Sequence, residues 1–406
     1  MDDDRSRRQF LLASGALGAS AVLAGCTGDG GAGAPSTDDD AIPTTDAATG
    51  TATDAPTDAE TATEAATETT ESGDGPYSVS MEPVGTVEFE AVPETVAVYC
   101  PGYADMAVAL GHGDAVASVG LPSRYHVGYY DELDGVSIDK SSLTPLVDEG
   151  IDKEVFYQLD ADVHNIDPNW LLNNFNGWAQ SDVDEVRDQV APFLGNLVFR
   201  RTDDWHDYRY YSMYEAFEKM GQLYQEQERY EALAGFHDEF LGRVQGQLPE
   251  ETGRPSGLLC FAGADQPEAF YPYRLTDRGT NKKQFHDLGI TDSLADTGVG
   301  GLSTNDRGQI DYETMLEVDP ESVLIRGHET KTREEFEDTV VAFMEQHPVA
   351  SDLTAVQEGR VFRGGPIYEG PIQNLFLTER FAKLYFPDSF SGELFDRGEL
   401  ASIITG

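Results

Sequence analysis

The chain has 406 residues, enough for two or three domains, and its 74 acidic residues against 27 basic ones give a formal net charge of −47. Such a surface repels nucleic-acid phosphates and anionic lipid headgroups, so it excludes both as partners of the folded part. The same charge is typical of a protein that stays soluble in high salt, where screening is short-ranged, and we therefore expect a halophilic source.

Residues 1–26 have the pattern of an export signal. Ser6-Arg7-Arg8-Gln9-Phe10-Leu11-Leu12 opens an apolar run that reaches Ala24, too short and too rich in Gly and Ala to span a membrane comfortably. The paired arginines followed by Phe-Leu resemble a twin-arginine signal, and Leu23-Ala24-Gly25-Cys26 resembles a lipobox. A simple cleaved peptide with an incidental cysteine is the alternative. Together the motifs predict a protein lipid-anchored through Cys26 on the outer face of the cytoplasmic membrane.

Residues 27–76 are low-complexity Thr, Ala, Asp, Glu and Gly, with 12 acidic residues and no Lys or Arg. Such a segment cannot bury enough apolar area to offset the entropy of ordering, so we expect a disordered tether. Repulsion among its carboxylates favours an extended tether.

The folded part is predicted to begin near Tyr77, with an N-terminal lobe over residues 77–224. Short apolar runs that end in Gly or Pro alternate there with short helical patterns, which indicates a parallel sheet with covered faces. The predicted strands are Thr95–Cys100, Val116–Val119 and Ala161–Ile166, and the predicted helices are Asp105–Leu110 and Asp152–Gln158.

A long helix is predicted over residues 225–248. Apolar residues recur there at steps of three and four and form one stripe, made of Tyr230, Leu233, Phe236, Phe240 and Val244. On periodicity alone this could be a surface helix of one large domain. Similar α/β patterns on either side favour a strut that joins two lobes.

The second half, residues 249–390 followed by a tail over 391–406, repeats the strand and helix pattern of the first. The stretch from Lys153 to Val163 and the stretch from Asp311 to Val323 share one order of elements: a helix, then Leu or Val with Asp and Ala or Pro, then a strand. Two copies of one unit on either side of a helix predict two lobes with a cleft between them.

Two of these stretches resemble substrate-binding proteins of ABC importers, in the class whose lobes are joined by one rigid helix. The first runs from Val96 to Gly120 and contains Pro101, Asp105, Leu110-Gly111 and Ala117-Ser118-Val119-Gly120; the second runs from Met315 to Ile325. The resemblance implies an α/β protein of two lobes, each with a mainly parallel sheet covered by helices, joined by one long α-helix with a ligand cleft between the lobes.

The resemblance also implies a function. It identifies an extracytoplasmic solute-binding component, without enzymatic activity or cofactor, that captures an iron(III) complex such as a ferric siderophore. Its partners would be an ABC permease and its ATPase, and we expect a monomer. Cobalamin, haem or a bare metal ion are alternative ligands within the same family.

The family docks its permease through one acidic residue on each lobe, and the resemblance places these residues at Asp105 and Asp292. An aspartate that caps its own helix is the alternative at both positions.

Ligand contacts are expected where the strands of both lobes end, because open α/β sheets place their crevices there. Aromatic rings give broad contact, and arginines can fork onto carboxylate or catecholate oxygens, although salt bridges on the acidic surface are the alternative for each arginine. The predicted ligand-binding residues are Tyr103, Arg124, Tyr125, His126, Asp167, Trp170, Tyr271, Tyr273, Arg274, Arg326, His328 and Tyr368.

Other kinds of site are less well supported. The eight histidines are scattered without His-x-His or His-x-x-x-His pairs, so no zinc-type metal site is predicted, although iron(III) bound by tyrosines stays open. Cys100 and Cys260 hold matching places in the two lobes and could be ligands or a disulfide, with burial in their own strands as the default. The sequence lacks hydrolase and phosphate-loop motifs, which argues against an enzyme. A surface hydrolase or a ligand sensor is the alternative from another class.

Overall fold

The computed structural model describes residues 75–299 and 308–406. The predicted export signal, the lipobox cysteine Cys26 and the tether up to residue 74 lie outside the described residues. Within the described ranges, no helix is long and apolar enough to cross a bilayer.

A β-hairpin opens the described chain. Strands β1 (Tyr77–Met81) and β2 (Gly85–Phe89) pair antiparallel, and alternate residues of both are buried while the others face solvent. This alternation lays one apolar face of the hairpin on the protein core.

The sheet of the N-terminal lobe has four parallel strands in the order β5-β4-β3-β6. All three residues of β3 are buried, as expected for a strand whose sheet is covered on both faces. The strands are β3 (Val96–Val98), β4 (Val116–Val119), β5 (Thr144–Pro145) and β6 (Val163–Asn165), and the helices are α1 (Pro101–Ala109), α2 (Lys153–Leu159), α3 (Pro168–Asn174) and α4 (Gln180–Gln189).

Helix α1 begins earlier than predicted. The sequence indicated a turn at Pro101-Gly102-Tyr103 and a helix from Asp105, whereas the structure starts the helix at Pro101. Proline is favoured at the first helical position because its fixed φ suits the helix and its missing N–H needs no partner there. Asp105 therefore lies in the middle of α1 and cannot cap this helix.

The connecting segment consists of two helices, α5 (Met213–Tyr224) and α6 (Gln227–Gln245). Gln225 adopts the left-handed conformation with φ 56°, which ends α5 and turns the chain into α6. The 19 residues of α6 give a rod of about 28 Å. The long helix predicted over residues 225–248 is thus present, and Leu233, Phe240 and Val244 of its predicted stripe are buried.

The sheet of the C-terminal lobe runs in the order β11-β10-β7-β8, and β9 pairs with the start of β7. All neighbours are parallel except β7 and β8. The strands are β7 (Ser256–Phe261), β8 (Tyr271–Tyr273), β9 (Thr291–Asp292), β10 (Val323–Arg326) and β11 (Val361–Arg363). The helices are α7 (Lys283–Asp287), α8 (Tyr312–Val318), α9 (Arg333–Phe336), α10 (Ala342–Gln346), α11 (Thr354–Gln357), α12 (Pro371–Tyr385) and α13 (Arg397–Thr405), and one π-helical turn, Glu337–Val341, links α9 to α10.

Helix α12 ties the two halves together. It follows the last strand of the second sheet, yet it packs against α1 of the first lobe and against α5. A Cβ on Gly102 would lie 2.6 Å from the carbonyl oxygen of Glu369, and one on Gly370 would lie 2.6 Å from the carbonyl oxygen of Gly102. Only glycine at both positions allows this close approach of the two backbones.

Alternate residues of the C-terminal sheet face two separate apolar clusters. Leu259 and Leu324 point into the large cluster that includes the N-terminal lobe, α5, α6 and α12. Leu258 and Val323 point into a smaller cluster on the opposite face of the sheet. The sheet of the second lobe therefore shares one of its cores with the first lobe. The segment predicted as a tail adds α13, which packs on α6.

A candidate ligand site between the lobes

A cavity of about 340 Å³ lies between the lobes, where β4, β7 and β10 end. The N-terminal lobe contributes the loop after β4, and the C-terminal lobe contributes Phe261 and the loops that follow β10 and β11. Its lining residues are Ser123, Arg124, Tyr125, His126, Phe261, Gly327, Glu329, Thr330, Pro366 and Ile367. This is the edge at which parallel sheets place ligands.

Arg124 is the free cation at this cavity. It ends a 3₁₀ turn, Pro122–Arg124, after β4, and its side chain is exposed. In the part of the chain that the structure describes, its guanidinium forms no hydrogen bond or ion pair, although 74 acidic residues are available in the sequence. Its charge acts on the phenols of Tyr99, Tyr368 and Tyr273, and lowers the pKa of each against the larger effect of burial.

Arg326, at the end of β10, is fully buried, and its guanidinium lies 4.9 Å from the ring centroid of Tyr273. Its Nε donates to the carbonyl of Gly364 at 3.3 Å and its Nη2 donates to the carbonyl of Asn281. Nη1 has no partner in the described residues. Burial lowers the pKa of Arg326, because the charged form is poorly solvated there. Arg326 directly precedes Gly327, which lines the cavity, but it does not line the cavity itself.

Arg200, which was not among the predicted residues, is a third arginine whose charge acts on Tyr273, although it does not line the cavity. It is buried, forms a bidentate ion pair with Asp203 at 2.8 and 3.0 Å, and lies 5.1 Å from the ring centroid of Trp170. Burial raises the pKa of the Tyr273 phenol, whereas Arg326, Arg124 and Arg200 together lower it. A pair of adjacent arginines at 200 and 201 in so acidic a chain is the sequence signal that could have pointed here.

An aromatic wall, made of rings that do not line the cavity, packs against Arg200. The predicted residues Trp170 and Tyr368 both contact Tyr99, with ring centroids 5.6 and 6.4 Å away. Phe199 lies 4.7 Å from Tyr368 and 5.5 Å from Trp170. Tyr99 and Phe199 were missed because each sits inside an apolar run that predicts only a core strand.

Three predicted ligand residues form hydrogen bonds within the N-terminal lobe, although one of them, Tyr125, also lines the cavity. Tyr103 donates its hydroxyl to the carbonyl of Asn196 at 2.9 Å, and the Tyr125 hydroxyl bonds that of Tyr130 at 2.9 Å. Asp167 caps α3 through the N–H of Asn169 and also accepts from the Leu197 N–H at 2.8 Å and the Tyr208 hydroxyl at 2.5 Å. Burial raises the pKa of Asp167 to about 6, although these hydrogen bonds lower it. The polar groups of all three are thus used within the chain.

Among the remaining predicted residues, His126 lines the cavity, whereas His328 and Tyr271 do not. The backbone carbonyl of His126 accepts from the Gln373 side chain at 2.6 Å, and burial lowers the pKa of His126. His328 is buried against the Phe336 ring, its Nε2 has no partner in the described residues, and burial lowers its pKa as well. Tyr271, half-buried, bonds Gln309 at 3.5 Å.

The two acidic residues predicted to dock a permease are buried. Asp105 is 0% exposed, and its Oδ2 accepts from the backbone N–H of Ile372 at 2.9 Å at the start of α12. Asp292 has a side chain only 1% exposed and pairs with Arg274 at 3.0 Å, so that predicted ligand arginine is neutralised as well. Contact with an external protein needs exposure, so these placements do not fit docking. The alternative was that each aspartate caps its own helix. Asp105 does cap a helix, but that helix is α12 of the other lobe.

The cysteines are buried as in the default interpretation, Cys260 within β7 and Cys100 just before α1. Cys100 and Cys260 are both free and buried, and burial raises the pKa of each thiol above its usual value. Among the described residues, no three or more His, Cys, Asp or Glu side chains come together in a group that could hold a metal ion.

Glu329 completes the cavity wall. Burial, the largest single effect, would raise its pKa, but Arg380, Arg363 and His126 together outweigh burial and lower the pKa to about 2. The two side chains are joined by bonds of 2.8 and 3.3 Å, and Glu329 also accepts from the Gly365 N–H at 2.9 Å. This carboxylate is therefore already neutralised and adds little negative charge to the cavity.

Comparisons with known proteins identify the family and the fold of the chain. The profile described as "Periplasmic binding protein" matches residues 96–368. No curated protein sequence matches the chain. The petrobactin-binding protein YclQ from Bacillus subtilis has a similar structure, with a TM-score of 0.50, 14% identity and coverage of 82% of this chain and 99% of that one.

Two further solved structures give the same result. The iron uptake ABC transporter substrate-binding protein PiuA from Streptococcus pneumoniae has a TM-score of 0.51 at 14% identity, over 77% of this chain and 96% of that one. The haem-binding protein HmuT has a TM-score of 0.52 at 15% identity, over 78% and 92%. At such identities these structures are evidence for the fold alone, and they confirm the predicted two-lobed α/β class. Because the family profile spans most of the folded part, the chain belongs to the periplasmic binding protein family.

Proposed function

We propose that this protein is the extracytoplasmic solute-binding component of an ABC importer, which captures an iron(III) complex with anionic oxygen donors and delivers it to a permease. The observation that carries the proposal is Arg124, an exposed guanidinium that forms no ion pair in the described residues and lies at the mouth of the inter-lobe cavity. In a chain of net charge −47, a cation left unpaired at a cavity is suited to an anionic ligand.

The chemistry of ferric chelates suits these side chains. Catecholate, carboxylate and hydroxamate oxygens accept hydrogen bonds from the planar guanidinium fork, and charge-assisted bonds of this kind are the stronger ones. Arg124 offers its whole fork at the cavity, and the buried Arg326, one residue before the lining residue Gly327, adds positive charge behind it. Phe261 and Ile367, which line the cavity, would supply apolar contact area for the organic part of the chelate.

The names of similar proteins point the same way. Solved structures with this fold are named as petrobactin-binding, iron uptake and haem-binding proteins. Haem and cobalamin therefore stay as alternative ligands. A bare metal ion has less support, because the described residues bring together no group of His, Cys, Asp or Glu that could hold one.

The proposal extends to the parts of the chain outside the described residues. A twin-arginine signal and lipidation at Cys26 would place the protein on the outer face of the cytoplasmic membrane. A monomeric state, a halophilic source and the predicted lobe boundaries belong to the same proposal. The rigid helix α6 would permit only a small lobe movement when the ligand binds.

Fluorescence titration tests the ligand. All three tryptophans of the chain, Trp170, Trp178 and Trp205, lie in the N-terminal lobe, and Trp170 belongs to the aromatic wall beside Arg200. The purified protein would be titrated with a ferric tris-catecholate, a ferric hydroxamate, haem and cobalamin. We expect a saturable response to a ferric chelate, and no response to any of the four would contradict a role in capturing such ligands.

A matched pair of variants tests the residue. Arg124→Gln should weaken binding of the ferric chelate by about tenfold or more, because a charge-assisted hydrogen bond is lost. Arg187→Gln on α4 removes an exposed arginine that pairs with Asp184 and Asp188, and it should leave the affinity unchanged. Equal affinities of both variants would argue against Arg124 as a ligand residue.

A further inference from the structure

A second cavity, of about 500 Å³, lies beside the edge strand β11 and shares no lining residue with the inter-lobe cavity. It is bounded by β11, the start of α9, the outer face of α12 and the start of α13, and the N-terminal lobe contributes Tyr129 and Glu132. We call it the lateral cavity. Its volume lies within the range of about 300–1,000 Å³ that is typical of small-molecule sites.

The floor of the lateral cavity is apolar and largely aromatic. Phe336, Phe362, Phe376 and Leu384 line it, and Tyr129 stacks on Phe376 with ring centroids 4.9 Å apart and an interplanar angle of 12°. Flat, stacked rings favour contact with a flat apolar body, which would bury area at low entropic cost.

The rim carries five bases and four glutamates, Glu132, Glu337, Glu379 and Glu393, and so many bases in one place are unusual in this chain. Five of the 27 basic residues line the cavity: Arg333, Arg363, Arg380, Lys383 and Arg397. Four of them have carboxylate partners. Arg333 pairs with Glu337 and Arg380 with Glu329, while Lys383 and Arg397 share Glu379.

Arg363 is the exception. It is half-buried, its Nη1 donates to the backbone carbonyl of Lys331, and no carboxylate of the described residues lies within ion-pair distance of it. Burial lowers its pKa most, and the neighbouring guanidiniums of Arg380 and Arg333 lower it further against the attraction of Glu329. A half-buried cation without a paired counterion is destabilising, and an anion bound beside it would offset that cost.

We propose that the lateral cavity is a second ligand site, for an aromatic monoanion whose flat apolar body lies on the phenylalanine floor and whose carboxylate or sulfonate bonds Arg363. One charge suffices, because every other base at the rim is already paired within the chain. The ion pair of Glu329 with Arg380 separates the two cavities, since Glu329 lines the inter-lobe cavity and Arg380 lines the lateral one.

A fluorescent aromatic sulfonate, 8-anilinonaphthalene-1-sulfonate, tests this site directly. The full chain, folded in high salt, would be titrated with the probe, and we expect a saturable increase in emission with one probe bound per chain. Arg363→Gln should lower the probe affinity about tenfold or more, since it removes the charge-assisted bond. Arg363→Lys should keep most of the affinity, and Arg187→Gln on the remote helix α4 should match the wild type.

Folding is checked in the same samples. Arg363→Gln leaves no carboxylate unpaired and removes a half-buried cation, so it should unfold at a denaturant concentration no lower than that of the wild type. Unchanged probe affinity in a folded Arg363→Gln protein would overturn the proposal. So would a loss of affinity in Arg124→Gln with none in Arg363→Gln, because the probe would then occupy the inter-lobe cavity.

Discussion

Asp105 is the buried carboxylate through which helix α1 of the first lobe holds the start of helix α12. Its Oδ2 accepts from the N–H of Ile372 at 2.9 Å and of Gln373 at 3.4 Å, and its Oδ1 accepts from the Tyr130 hydroxyl at 2.6 Å. Burial raises the pKa of Asp105 to about 7, although these hydrogen bonds lower it. We predict that Asp105→Asn removes a dependence of stability on pH that the wild type shows between about pH 4 and pH 7.

The sign follows from proton binding. An aspartate in the unfolded chain titrates near pH 3.9, so between about pH 4 and pH 7 the folded protein holds a proton that the unfolded chain has released. The stabilisation is therefore complete below about pH 4 and is lost as the pH rises through about 7. Three pH units at 1.36 kcal/mol each correspond to about 4 kcal/mol.

The neighbours of Asp105 do not titrate in this window. The groups whose charges it influences are the phenols of Tyr125, Tyr130 and Tyr214, and the pKa of each is raised well above its ordinary value by burial. Glu369 also has a raised pKa, about 8, because it is buried, but its contribution is the same in the wild type and the variant. The difference between the two proteins therefore isolates Asp105.

The assay is denaturant unfolding of the wild type and Asp105→Asn at intervals from about pH 4.5 to 8, with stability differences taken at each pH. The wild type should lose stability relative to the variant as the pH rises. Asp105→Ala is the control, and it should be less stable than Asp105→Asn at every pH, since it leaves the N–H groups of α12 without an acceptor. Parallel curves for the wild type and Asp105→Asn would refute the reasoning.

Three other predictions concern the cysteines and the connecting helices. In a Cys26→Ser background, Cys100 and Cys260 should resist a thiol reagent until the protein is unfolded, because both are buried; absorbance of the released thiolate measures this, and rapid labelling of the folded protein would contradict it. Gln225→Gly should raise the free energy of unfolding by about 0.5 kcal/mol, since glycine adopts the left-handed conformation without strain; a lower denaturation midpoint would count against this. Phe240→Ala should lower the free energy of unfolding by about 3–5 kcal/mol, measured in the same way, because the ring is fully buried on α6; a loss under 1 kcal/mol would mean that α6 is not anchored there.

The sequence placed Arg124, Tyr125 and His126 at the inter-lobe cavity, but it did not separate residues that face the cavity from residues that support the lobe. Arg124 and His126 line the cavity as expected, because residues after parallel strands meet at one edge of the sheet. Tyr103 and Asp167 follow strands as well, yet their polar groups bond within the lobe. Whether a side chain turns toward the cleft or into its own lobe depends on the rotamer and on distant partners, and strand-end position carries no information about either.

The docking residues show the same limit. A family motif placed Asp105 by its distance along the chain from a strand, and the motif alone cannot reveal that α12, about 265 residues later, covers it. The number of acidic residues could not identify the docking residues either, since so acidic a chain has a carboxylate near almost any position. Burial of the two aspartates became visible only when the whole chain was folded.

The sequence by itself determined the local elements: strands where apolar runs end in Gly or Pro, the helix between the halves from its stripe, and two related units from their repeated order. These follow from backbone geometry and from the spacing of apolar side chains within ten or twenty residues. The tertiary structure alone decided which residues stand opposite one another across the lobes, such as Gly102 and Gly370 at the joint and the three arginines around Tyr273. The physical reason is that such contacts join segments far apart in the chain, and their energies depend on burial and distance, which the order of residues does not specify.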